Sequence, residues 1–257
     1  SRRCCHATSD HGAGASSFGD TTSDRKRLPM PPNTPLRVRL GPANAYLIPA
    51  RDGYVLVDTG DPFNASRLAR ALARLAIPPE AIRLIVVTHA HADHVGGLAA
   101  IKRRSGAPVM AHRSEVALIE QGTAVAPPGI GRYGRAWAAV TRVGIRFLRV
   151  EPCAVEIAVD DEASLEDYGV AGRVLHTPGH TIGSISVLVD GDAFVGDLCV
   201  NGLRFVRGPG LPLFGDDVPT IHDSWRRVLA AGAKTIYPAH GAPFAAEKLR
   251  PLPRRRQ

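Results

Sequence analysis

A run of seven residues, Thr88-His89-Ala90-His91-Ala92-Asp93-His94, constrains this chain more than any other feature. It holds three imidazoles and a carboxylate, the ligand set for zinc and other borderline divalent ions. Directly before it stands an apolar run, Ile82-Arg83-Leu84-Ile85-Val86-Val87, which reads as a buried strand. The stretch after it, Val95 to Lys102, reads as a loop entering a helix. The four side chains therefore sit at a strand-to-helix turn, where they can fan into two groups. His89 and His91 are two apart and can face one ion; Asp93 and His94 are neighbours and can face a second.

Two ions need more ligands than the cluster holds, and three later positions stand out. His180 follows a strand expected at 170–177, Asp197 follows one at 193–195, and His240 follows one at 234–237. Pro and Gly beside each of them allow sharp turns that aim a side chain at a point. A chemical count then works. His89, His91 and His180 can hold one ion, and Asp93, His94 and His240 the other. Asp197, with two carboxylate oxygens, can bridge them. Two such ions supply a hydroxide near neutral pH and clamp attacking and leaving oxygens.

The rest of the chain supports a globular frame for that site. Of its 257 residues 44% are hydrophobic and 22% charged, enough to bury a sizeable core in one large domain or two small ones. Residues 1–35 are polar and Gly-, Ser- and Pro-rich and read as a disordered N-terminal tail. A domain is expected over 36–249 and a basic C-terminal tail over 250–257. Strands are expected at 36–40, 44–48 and 54–57, the last two joined by an Asp52-Gly53 hairpin turn. Helices are expected at 63–76 and 114–121, one or two at 132–148 with Trp137, Val140 and Phe147 inward, and further helices at 218–231 and 244–249. Residues 201–217 read as a loop. Two strand-rich halves that each end in helices suggest two packed sheets with helices outside.

The net charge of +8 sits at the ends: residues 1–39 carry +4 and 248–257 carry +5, leaving −1 for the body. A nucleic-acid enzyme carries its basic footprint on the folded surface, so this distribution argues against a nucleic-acid partner and for a small-molecule substrate. No apolar run approaches the roughly 20 residues that span a bilayer, and no membrane association is expected. Ser1-Arg2-Arg3 is not followed by the apolar segment of an export signal. The four cysteines, Cys4, Cys5, Cys153 and Cys199, form neither a disulfide framework nor a metal pattern. A reducing, cytoplasmic location is the expectation. Cys199 reads as a buried structural thiol, and His112, His176 and His222 as structural or exposed.

His89-Ala-His91-Ala-Asp93-His94, then His180, Asp197 and His240, with Asp58-Thr59-Gly60 upstream, resemble the metallo-β-lactamase-fold hydrolase superfamily over about residues 36–247. The resemblance implies an α+β, four-layer αβ/βα sandwich with the metal site at the edge of the two sheets. It implies a supporting role for Asp58, behind the ligands. Asp197 as a bridge, with Thr177-Pro-Gly-His180-Thr and Pro238-Ala-His240-Gly, is similar to the glyoxalase-II-like branch. True metallo-β-lactamases usually lack an Asp there, and the Tyr of quorum-sensing lactonases is Val200 here.

The expected protein is thus a dinuclear hydrolase that cleaves a small ester, thioester or lactone by a metal-bridging hydroxide. Asp93 would orient that hydroxide or shuttle a proton. Zinc is the default ion, with iron and manganese as alternatives. A phosphodiesterase or nuclease, a β-lactamase and a non-catalytic metal-binding protein are the alternative readings. Loops near a rigid site carry specificity, so substrate contacts are expected from Arg204, Phe205 and Arg207, and from Tyr133 and Trp137 in the 123–149 segment.

Overall fold

The structure, a computed structural model, describes residues 34–203 and 206–251, and the backbone alone at 64, 146, 203, 206 and 207. The tails expected at 1–35 and 250–257 fall outside it except for 34, 35, 250 and 251. Six strands form a first sheet in chain order: β1 (Leu36–Arg39), β2 (Asn44–Ala50), β3 (Gly53–Val57), β4 (Ile82–Val86), β5 (Val109–His112) and β6 (Ile157–Val159). The first three are antiparallel, and β3 to β6 are parallel. The second sheet contains β7 (Glu162–Ser164), β8 (Gly172–His176), β9 (Ile185–Val189), β10 (Asp192–Leu203), β11 (Val206–Gly210), β12 (Thr235–Gly241) and β13 (Phe244–Ala245). Its order is β13-β12-β10-β9-β8-β7, with β11 paired to β10. The helices are α1 (Ala65–Arg74), α2 (Ala92–Val95), α3 (Leu98–Ser105), α4 (Arg113–Gln121), α5 (Gly131–Gly144) and α6 (Val218–Ala230).

Successive residues of a strand face opposite sides, and that alternation sorts the apolar residues into three cores. Tyr46, Ile48, Val55, Val57, Leu84 and Val86 point from the first sheet onto Val174, Val187 and Phe194 of the second. Their neighbours Leu47, Leu56 and Ile85 point outward and pack on Leu68 and Leu72 of α1, Leu98 of α3 and Ile119 of α4. On the far side, Leu175, Leu188 and Val195 meet Ile221, Trp225 and Val228 of α6. The result is helices, sheet, sheet, helices, the expected four-layer sandwich. Both faces of the central strands are buried, which is why β2, β3 and β4 read as nearly continuous apolar runs.

Three expectations are corrected. Phe244–Leu249 is not a helix: Phe244 and Ala245 extend the second sheet as β13, followed by one 3-10 turn. Residues 201–217 are not all loop, because β10 runs to Leu203 and turns back into β11. Trp137, Val140 and Phe147 do not face inward. α5 buries Gly134 and Ala138, while those three side chains are exposed.

Candidate metal centre

Every residue singled out as a metal ligand lies where a strand of one sheet meets the other sheet. His89, His91, Asp93 and His94 follow β4, and His180 follows β8. Asp197 lies within β10 and His240 near the end of β12. The sheets are drawn together at this edge. Ile185 donates its N–H to the Thr88 carbonyl at 2.9 Å. The Tyr46 hydroxyl donates to the Pro238 carbonyl at 2.6 Å, and Asn44 Nδ2 to that of Gly241 at 2.9 Å. Gly196 has φ +53°, and a Cβ there would meet Thr88 Oγ1 at 2.6 Å. Only glycine lets β10 pass this close to the histidine turn.

The side chains converge in overlapping groups: His89, His91 and His180; His89, His94 and Asp197; and Asp93, His94 and His240. In the first group, His180 Nε2 lies 3.1 Å from His89 Nε2 and 3.0 Å from His91 Nδ1. In the second and third, Asp197 Oδ1 lies 3.4 Å from His94 Nε2 and 3.2 Å from His240 Nε2. Asp93 Oδ2 lies 3.2 Å from the same His240 nitrogen. The other oxygen of Asp197, Oδ2, lies 3.6 Å from His180 Nε2. Asp197 therefore presents one oxygen to each side.

The opposite ring nitrogens decide which way each imidazole offers its lone pair. A carbonyl or carboxylate can only accept, so the partner nitrogen must carry the proton. His180 Nδ1 donates to the Phe214 carbonyl at 3.0 Å, and His240 Nδ1 to that of Pro42 at 2.9 Å. His94 Nδ1 donates to Asp58 Oδ2 at 2.8 Å. The Thr88 hydroxyl has one proton, and it goes to Asp58 at 2.8 Å. Thr88 Oγ1 must then accept from His89 Nδ1, 3.1 Å away. His89, His94, His180 and His240 all turn an Nε2 lone pair into the cluster. Asp58 thus orients His94 directly and His89 through Thr88. It also accepts the Thr88 backbone N–H at 2.8 Å.

That arrangement suits cations. His89 and His180 face each other with lone pairs 3.1 Å apart, which is repulsive without a positive charge between them. His94 Nε2 and Asp197 Oδ1 are buried with no hydrogen-bond partner among the described residues, a costly state that a bound ion relieves. Imidazole and carboxylate form the appropriate donor set. The electrostatic surroundings agree. Burial, helped by the neighbouring imidazoles, lowers the pKa of His89 and takes that of His91 down to about 3. Burial opposes protonation of His94 too, but Asp58, Asp197 and Asp93 outweigh it and hold its pKa well above the usual value. For His240 the same contest is won by Asp197 and Asp93. The cluster thus contains three imidazoles kept neutral to ligate and two whose carboxylate neighbours attract a positive charge.

One residue in this frame carries no sequence signal. Glu115 of α4 is buried, with its carboxylate between the two histidine-bearing turns. It accepts from the Ala90 N–H at 2.9 Å, the Thr181 hydroxyl at 2.9 Å and the Gly183 N–H at 3.1 Å. It ties the His89–His91 turn to the His180 turn. Thr88 sits inside the motif, but its relay from Asp58 to His89 appears only in three dimensions. His112, His176 and His222 join none of the groups among the described residues, and His112 stacks on His176 with centroids 4.1 Å apart. Cys199 is buried, and burial pushes its thiol pKa up. Arg204 and Phe205 lie outside the described residues, as does the side chain of Arg207. Trp137 lines the cavity over the site, whereas Tyr133 is exposed and does not. No helix among the described residues is long and apolar enough to cross a membrane.

Comparison with known proteins extends these observations. The chain is 31% identical over 207 residues to the hydroxyacylglutathione hydrolase of Anaeromyxobacter dehalogenans, covering 79% of this chain and 64% of that protein. It is 28% identical to mouse metallo-beta-lactamase domain-containing protein 1, covering 79% and 65%. It therefore spans a little under two thirds of the length of these curated relatives. Among solved structures, the B3 metallo-β-lactamase BLEG-1 superposes with a TM-score of 0.61 at 22% identity, covering 84% of this chain and 95% of that one. TTHA1623, crystallised in a di-iron-bound form, superposes with a TM-score of 0.59 at 26% identity, covering 82% and 95%. The family model of the metallo-beta-lactamase superfamily matches residues 38–240. That span runs from β1 to the last histidine of the cluster, and the chain belongs to this superfamily.

Proposed function

We propose that the protein is a dinuclear metal-dependent hydrolase of a small ester, thioester or lactone. His89, His91 and His180 would hold one ion, Asp93, His94 and His240 the other, and Asp197 would bridge them. The observation that carries this reading is the split of Asp197, with Oδ2 toward His180 and Oδ1 toward His94 and His240. Such a pair of ions supplies a water nucleophile at neutral pH and stabilises the negative charge that develops on the substrate and leaving group. Zinc is the proposed metal. Iron is the alternative, since the relative at 26% identity was crystallised in a di-iron-bound form.

The protein's own groups have distinct tasks. Asp58, Thr88, Phe214 and Pro42 hold the ring orientations, so no reorganisation is needed when substrate arrives. Asp93 is one-third exposed and lines the cavity. Although partial burial opposes it, His94 and His240 hold its carboxyl well below the usual carboxylate range, so it would act as a carboxylate that orients the water nucleophile and relays its proton. The named relatives support acyl transfer to water, because one is a hydroxyacylglutathione hydrolase. A phosphodiester reading draws little support from the cavity, whose described lining contains no Lys or Arg.

Protein of measured metal content should be assayed on S-lactoylglutathione, p-nitrophenyl esters, a lactone, bis-p-nitrophenyl phosphate and a β-lactam. Turnover of an ester, the thioester or the lactone is expected. Turnover of the phosphodiester or the β-lactam alone, or of none of these at full dinuclear occupancy, would refute the reading.

A further inference from the structure

Above the histidine cluster opens a cavity of about 580 Å³, within the ~300–1,000 Å³ range of small-molecule sites. Its floor is polar and consists of His91, Asp93, Asp197 and His240. Its walls are mostly apolar, with Asp61 and Thr141 as polar exceptions. Pro62 and Phe63 line it after β3, Ile145, Phe147 and Leu148 after α5, and Leu213 with Phe214 beside them. Trp137 of α5 faces the same space. Phe63 is 83% exposed, Phe147 82% and Trp137 56%. Three large aromatic side chains in water around one mouth are unusual for a folded chain and mark a surface that receives an apolar group.

The aromatic wall is tied to the floor. A Cβ on Gly134 would meet the Leu213 carbonyl at 2.2 Å, so α5 lies directly against that strand-like segment. Gly129 bridges Phe214, and the Ile130 N–H bonds to the Leu213 carbonyl at 2.8 Å. The Phe214 carbonyl holds the His180 ring. The wall carrying Trp137 and the imidazole cluster thus share one anchoring segment, which fixes the distance from apolar rim to polar floor.

Such a cavity fits an amphiphile with its carbonyl at the floor and its tail along the walls. We propose that the substrate is an ester or thioester of a medium-chain, unbranched acyl group, with Phe63, Trp137 and Phe147 receiving the chain. This rests on the hydrolase reading given above. In the reaction the oxygen of water joins the carbonyl carbon and the acyl–oxygen or acyl–sulfur bond breaks. The fatty acid and the protonated alcohol or thiol leave. Glutathione fits less well, because its two carboxylates find no cationic side chain in the described lining.

The test uses the full chain with two ions bound and p-nitrophenyl esters from acetyl to octanoyl, below their micelle concentrations. kcat/KM should rise about two- to fourfold per methylene from butanoyl to octanoyl, as burial of each added group predicts. The Trp137→Ser/Phe147→Ser double variant should lose most of that slope. A second readout needs no turnover. The chain has two tryptophans, and Trp225 is buried with its indole N–H on the Leu198 carbonyl, so Trp137 dominates changes in emission. Octan-1-ol should shift that emission saturably to shorter wavelength where ethanol does not, and Trp137→Ser should abolish the shift. A flat or falling chain-length series with no saturable shift overturns the proposal while leaving the hydrolase reading intact. Trp137 emission that is already blue and depends on protein concentration means a second copy covers the rim, and also overturns it. If neither these esters nor a thioester nor a lactone is hydrolysed at full metal occupancy, the hydrolase reading fails, and the octan-1-ol titration still decides what the cavity accepts.

Discussion

Replacing Asp58 with Asn changes one atom and tests the orientation of half the cluster. Asp58 has φ +59°, in the left-handed region that Asn tolerates nearly as well as Asp, so the backbone stays in place. The side-chain oxygen of the introduced asparagine would keep the Thr88 N–H, which lies 2.8 Å from Oδ1 of Asp58. The amide NH2 would then face His94 Nδ1, where Oδ2 stood at 2.8 Å. A donor now meets a donor, so His94 must move its proton to Nε2 and lose the lone pair aimed at Asp93, Asp197 and His240. A misdirected ligand tautomer costs roughly 10–100-fold in metal affinity, or about 1.4–2.7 kcal/mol. Two charge-assisted bonds, from His94 and from the Thr88 hydroxyl, also become neutral or are lost, costing about 2–4 kcal/mol of fold stability. Titration of metal-free protein with zinc by calorimetry should show two ions for the native chain. For Asp58→Asn the ion at His89 should bind at nearly native affinity, because the Thr88 hydroxyl keeps an acceptor 3.0 Å away at the Oδ1 position, and the ion at His94 should bind 10–100-fold more weakly. Two ions of unchanged affinity would refute the tautomer argument, and equal loss at both would mean Asp58 acts through the Thr88 relay to His89 or through the fold, not through His94 alone.

Other consequences follow from the same contacts. Glu115→Gln puts an amide NH2 against either the Ala90 N–H or the Gly183 N–H, both now bonded to carboxylate oxygens. It should cost about 1–3 kcal/mol, a fall in Tm of about 2–12 °C by calorimetry, and an unchanged Tm would show that the two turns are joined by other means. Metal-free protein should lose stability in acid through His91. Its folded pKa of about 3 lies below the ordinary value of 6.5. Its contribution is therefore fully present above pH 6.5 and declines as pH falls toward 3. Relative to a His91→Asn variant, the loss between pH 7 and pH 4 should be about 3 kcal/mol in urea unfolding. A pH-independent difference would contradict a buried, neutral His91.

The candidate ligands were legible because their chemistry is concentrated: imidazoles and carboxylates beside Gly and Pro at strand ends have few other uses. The sandwich was legible because β2, β3 and β4 are apolar on both faces. Less visible were features set by partners distant in sequence. β10 continues past Val195 only because β12 and β11 pair with it as far as Leu203, and nothing local in Asn201-Gly202-Leu203 announces a strand. Phe244 and Ala245 look like a helix start, yet β12 offers them an open edge. Glu115 resembles any helix carboxylate until the Ala90 and Gly183 turns close on it. The rule that large apolar side chains go inside would bury Trp137 on α5 and Phe147 just after it. The rule fails there because α5 turns Gly134, which permits the close approach to Leu213, and Ala138 inward, leaving Trp137 and Phe147 to rim the cavity.

On the proposed reading, seven side chains form one two-ion centre whose occupancy drives hydrolysis. Thioester and ester turnover measured against added zinc, with bound metal counted by mass spectrometry in the same samples, tests it most directly. Two ions per chain are expected, with a rate that follows occupancy of the second position. Saturation at fewer than two ions, or a rate indifferent to metal content, would contradict it.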